Sequence, residues 1–71
     1  MRHNRALEGV IREKYEVLSE LLDERARRLW AAAESRSIGY GGDVVVANAT
    51  GMARATIRAG RQELTARAIN N

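Results

Sequence analysis

Apolar residues recur along the first third of the chain at steps of three and four: Leu7, Val10, Ile11, Tyr15, Leu18 and Leu22, with Glu8, Arg12, Glu13 and Glu16 between them. That period belongs to an amphipathic helix and predicts one over residues 6–19, with Gly9 weakening its first turns. A second stripe, Leu22, Ala26, Leu29, Trp30 and Ala33, predicts a helix over residues 23–37. Asp23 stands where a carboxylate can accept a backbone N–H that the first helical turn leaves unpaired, so it is the expected N-cap. The stretch SIGYGG holds three of the six glycines and marks a stop and a turn. Asp43 follows as the candidate cap of the next element.

The stretch VVVANATGMARATIRAG, Val44 to Gly60, carries two conflicting signals. Three β-branched valines favour a strand, whereas the alanines and arginines behind them favour a helix. A strand here would have no partner in a chain otherwise patterned for helices, and an isolated strand is not stable. The pattern therefore predicts a short helix over residues 43–49, with Val46 inward, and a last helix over residues 53–67. The final AINN reads as a frayed tail.

Ala47, Gly51 and Ile57 give this pair of helices a further meaning. Gly51 lies four residues after Ala47 and Ile57 ten, which is the spacing of a helix-turn-helix. A small side chain at Ala47 allows two helices to cross closely. Gly51 supplies the positive φ of a sharp turn, Ile57 is the inward knob of the second helix, and Val46 and Met52 fill the angle between the two. Ile57, Gly60, Leu64 and Ala68 share the predicted buried side, which leaves Arg54, Ala55, Arg58, Arg61 and Gln62 outside.

Composition narrows the function. A chain of 71 residues allows one domain and little room for an enzyme pocket. With no cysteine it can hold neither a disulfide nor a thiolate zinc site. No segment is apolar enough to cross a membrane or to form a leader, so a cytoplasmic chain is expected. Residues 1–43 balance eight basic against eight acidic groups, while residues 44–71 set four arginines against Glu63 alone. The whole net charge of +3 thus falls on the C-terminal segment, residues 44–71, a footprint expected for an anionic partner. In such a motif the start of the second helix enters the major groove. Arg54 and Arg58 are the candidates for base edges, with Ala55 allowing close approach and Gln62 on the same side. Thr56, Arg61 and Arg67 are the candidate phosphate contacts.

Other residues read more plainly. His3 has no companion for a metal site, and GYGGD lacks the Lys-Ser/Thr of a phosphate loop, so neither metal nor cofactor is expected. Glu13, Glu16, Glu20 and Glu24 are expected in surface ion pairs with Arg12, Lys14, Arg27 and Arg28. Tyr15 and Trp30 read as core. Tyr40, among glycines, stays open between packing and an exposed phosphate contact.

The strings KYEVLSELLDERARRLWAAAESR, GYGG and ATGMARATIRAG resemble the N-terminal region of the Rhodopirellula-type DDE transposases of bacterial insertion sequences, over roughly Ile11 to Leu64. The resemblance implies a DNA-binding domain that, in full-length members, precedes an RNase H-like catalytic domain working with acidic residues and divalent metal. It carries over no catalytic carboxylate onto this chain. The sequence departs from the family where Asp43 stands for an apolar residue, Ala53 for a capping serine and Ala59 for arginine.

Together these readings give an all-α single domain over residues 1–71. Two bracing helices occupy 6–37 and a helix-turn-helix 43–67. The expected partner is double-stranded DNA at transposon ends, in the bacterial nucleoid, with no membrane and no enzymatic activity of the chain itself. A homodimer and the parent transposase's catalytic domain are the further candidate partners. The alternatives are a small transcriptional repressor and a structural dimerisation or adaptor module. An exposed apolar face on the first helix would favour the last of these.

Overall fold

The computed structural model of the chain describes residues 5–70, and of residues 69 and 70 the backbone alone. Four helices make up the described residues, with no strand among them: α1 (Arg5–Leu18), α2 (Glu24–Ile38), α3 (Gly42–Thr50) and α4 (Arg54–Asn70). The prediction for His3 lies outside the described residues.

Between α1 and α2 the backbone breaks tightly, the N–H groups of Leu21 and Leu22 both reaching the Leu18 carbonyl. Asp23 caps α2 as expected: its backbone is extended, and its Oδ1 accepts the Ala26 N–H at 2.8 Å. Arg27 Nε donates to the Leu22 carbonyl at 3.0 Å and so closes the other side of the break.

The valines of residues 44–46 are helical, against their propensity. Packing explains this, because Val45 and Val46 are buried with Ala49 in the core. α3 ends at Gly51, whose φ of 79° lets its N–H turn back to the Ala47 carbonyl at 2.9 Å; a side chain there would be strained. Thr50 helps close the end, since its Oγ1 donates to the Val46 carbonyl and accepts the Met52 N–H. Asp43 is not the cap of α3. Gly41 occupies that position without a side-chain bond, and the Asp43 carboxylate turns instead to other helices.

The core joins Ile11 of α1, Ala31 of α2, Val46 and Ala49 of α3 and Ile57 of α4, with Trp30, Ile38, Ala47 and Met52 half-buried against it. α2 lies against both α3 and α4, while α1 packs chiefly on α3. Because α2 must admit two neighbours closely, small residues face them: Ala31, Ala32 and Ser35 are fully buried. Ala33, expected in the stripe, is exposed, and Leu29 and Trp30 move to the half-buried flank. At the α2–α4 crossing a side chain on Gly60 would collide with the Arg28 carbonyl and the Ala32 methyl, so that helix position must be glycine. Tyr15 and Trp30 stack with ring centroids 5.7 Å apart at the α1–α2 edge, half-buried rather than central.

Three further expectations change. Val10 is 47% exposed and stands outside the α1 core stripe. Ala68 is exposed, as are Ala66 and Arg67 before it, and with no glycine or proline stop after Arg67 the helical ladder continues to Asn70. The ion pairs use Arg12, Lys14 and Arg28 as expected but other acids: Arg12–Glu8, Lys14–Glu34 and Arg28–Glu63. Long-range packing, not helical spacing, chooses the last two partners.

Candidate nucleic-acid interface

α4 presents four distinct strips, set by the helical advance of about 100° per residue. Ile57, Gly60 and Leu64 face the core, Ile57 and Gly60 buried and Leu64 half-buried. Opposite them lies a low crest of small or slender exposed residues, Ala55, Ala59, Gln62 and Ala66. Along the flank nearer α3 run Arg54, Arg58, Arg61 and Thr65, within roughly 60° of one another around the axis. Along the flank nearer α2 run Thr56, Glu63 and Arg67.

The seven residues read from the sequence therefore divide. Arg54, Arg58 and Arg61 come together in one row, and Ala55 and Gln62 form part of the adjoining crest. Thr56 and Arg67 lie on the far flank. By the same advance Arg54 and Arg58 stand between the core strip and the crest. All seven are exposed except Arg61, which is partly covered.

Two carboxylates lie within this region, and each is bound by neighbouring helices. Glu63, the single acid of α4, is held by Arg28 at 2.7 Å and Arg25 at 3.4 Å from α2. Desolvation works to raise its pKa, but the Arg28 and Arg25 hydrogen bonds and charges outweigh it and hold it below the ordinary glutamate value. Asp43 Oδ1 accepts from the Ser35 hydroxyl of α2 and, at 3.0 Å, from Arg61 Nη1 of α4. Burial again pushes upward, and the bonds from Ser35 and Arg61 with the charges of Arg61 and Arg58 again win, leaving Asp43 below the ordinary aspartate value. Among the described residues, Arg54, Arg58 and Arg67 form no ion pair.

The sequence reading missed Arg36. From the last turn of α2 its guanidinium donates to Thr65 Oγ1 at 3.2 Å, which adds a fourth cation to the arginine row. Local pattern could not show this, because Arg36 and Thr65 meet only through the α2–α4 crossing. Ala53 precedes α4 and brings no side-chain acceptor to its start; its carbonyl accepts the Ile57 N–H at 3.2 Å. Tyr40 is resolved as exposed, at 88%. No group of His, Asp or Glu among the described residues is arranged to hold a metal ion, and no helix there is long and apolar enough to cross a membrane. No family model, curated protein or solved structure matches the chain.

Proposed function

We propose that the chain binds double-stranded DNA, with α3 and α4 acting as a helix-turn-helix and α4 entering the major groove. One observation carries this reading: the exposed crest of α4 is made of alanines and one glutamine, bordered by Arg54 and Arg58. Small side chains let a helix seat deeply, and unpaired arginines at its border can reach guanine edges and phosphates. The three-residue joint Gly51 to Ala53 and the left-handed Gly51 support the same motif. Binding of Glu63 by α2 supports it too, since the acid of α4 is compensated within the protein. On this reading Arg54 and Arg58 read bases, Ala55 and Gln62 line the contact, and Thr56 and Arg67 touch phosphate from the other flank.

The resemblance to Rhodopirellula-type transposases directs the reading to transposon ends, in the bacterial nucleoid, with catalysis left to a separate domain. A transcriptional repressor would use the same surface. The deciding measurement is fluorescence anisotropy with a terminal inverted-repeat duplex and a scrambled duplex across a salt series. Tighter binding to the first, weakening steeply with salt, is expected. Absence of binding to either at low salt ends the reading.

A specific observation favours a second reading, a helical dimerisation module. Val10, Val17 and Leu21 are 47%, 69% and 76% exposed and fall on one side of α1 and its following turn. A second copy could cover them. Sedimentation equilibrium decides: a dimer that Val17→Asp abolishes supports this reading, and a monomer at high concentration rejects it.

A further inference from the structure

Among the arginines of the α4 row, Arg61 alone is in an ion pair, with Asp43. The pair is anchored from a third helix. Ser35 is fully buried, its hydroxyl donates to the same Asp43 oxygen, and Asp43 lies in the first turn of α3. The carboxylate is only 20% exposed and the Arg61 side chain 40%. Arg58 and Arg54, one and two turns earlier in the same row, are in no ion pair among the described residues.

We propose that Asp43 is an internal counter-ion that withholds Arg61 from phosphate, so that the row acts on DNA through Arg54 and Arg58 while Arg61 stays bound within the protein. The inference rests on the DNA-binding reading above. A phosphate competing for Arg61 would offer one charge-assisted contact. To do so it must strip a cation from a largely covered carboxylate, and a carboxylate left so is strongly disfavoured. The exchange does not repay its cost at a surface where counterion release is the main gain. Asp43 is thus a positioning residue.

The test is the slope of log K against log salt, measured with one duplex for wild type, Asp43→Asn, Arg61→Gln and the double variant. Freed from the carboxylate, Arg61 should gain a phosphate. Asp43→Asn is then expected to bind about fivefold to tenfold tighter at low salt, with a slope steeper by about 0.9. That increment should vanish in the double variant. In the wild-type background Arg61→Gln should leave the slope unaltered, which keeps the proposal testable should Asp43→Asn fail to fold. A slope reduced by about 0.9 in Arg61→Gln would show Arg61 on phosphate and overturn the inference. So would a folded Asp43→Asn with unchanged or weaker binding, the result expected if the pair only ties α3 to α4. If neither wild type nor any variant binds a duplex at low salt, the DNA reading fails and the inference fails with it; if wild type binds and Asp43→Asn gains nothing, the inference fails alone.

Discussion

Gly60 of α4 lies directly against Ala32 of α2: a methyl group on the glycine would sit 2.9 Å from the alanine Cβ and 2.8 Å from the Arg28 carbonyl oxygen. This contact sets how closely the two helices approach. Opposing effects therefore meet at one position. Helix propensity alone would make Gly60→Ala a gain of about 0.8–1 kcal/mol. Steric overlap with backbone, which cannot swing aside, costs typically about 1–3 kcal/mol. The overlap wins, and urea unfolding of Gly60→Ala should show a net loss of stability. A gain would mean that α4 can slide off α2 without penalty.

Gly51 tests the turn in a different way. Nothing crowds the space a side chain would occupy, so only the backbone conformation is at stake. Gly51→Ala should cost about 1–2 kcal/mol through the left-handed φ, and Gly51→Asn less, since asparagine tolerates that region. Equal losses for the two variants in thermal melts would place the requirement elsewhere.

Base reading and phosphate positioning separate by their sequence dependence. Arg54→Ala or Arg58→Ala should cost about 1–3 kcal/mol on a cognate duplex and much less on a scrambled one. Arg67→Ala, on the far flank, should weaken both equally and flatten the salt slope by about 0.9. If Arg54 and Arg58 behave like Arg67 in anisotropy titrations, α4 is an electrostatic anchor and not a reader.

Acid should loosen the α2–α3–α4 junction. Asp43 and Glu63 both titrate below their ordinary values in the folded protein. A lowered carboxylate pKa contributes stability that is full above the unfolded value, roughly 3.9 for Asp and 4.3 for Glu. That stability is lost as pH falls through the folded value. The urea midpoint should therefore hold from pH 7 to about 5 and drop below about 4. Asp43→Asn should start lower and fall less. An identical acid profile for wild type and this variant would remove Asp43 from the account.

What the sequence made legible was local. Asp23 as a cap, Gly51 as a turn and Ile57 as a buried knob each follow from a backbone requirement met within a few residues. The helical valines followed from the lack of a partner strand. What stayed hidden depends on how helices rotate against one another. Ser35 rather than Ala33 is buried because α2 turns its small side to two neighbours. Asp43 reads as a cap, yet Gly41 takes that position and the Asp43 carboxylate, in the first turn of the helix, turns to Ser35 and Arg61. Arg36 looked like one charge in a balanced half until the crossing of α2 and α4 brought it to Thr65.

The Tyr15–Trp30 stack gives the molecule a built-in optical reporter. Trp30 is the single tryptophan, and one face of its indole is shielded by a ring from α1. Because α1 rests mainly on α3, it can peel away as a unit while the α2–α4 junction stays closed. Such peeling would wet the indole and shift its emission to longer wavelength before helical circular dichroism is lost. The interval between the two signals along a denaturant series measures how independently the first helix is attached to the α2–α4 half.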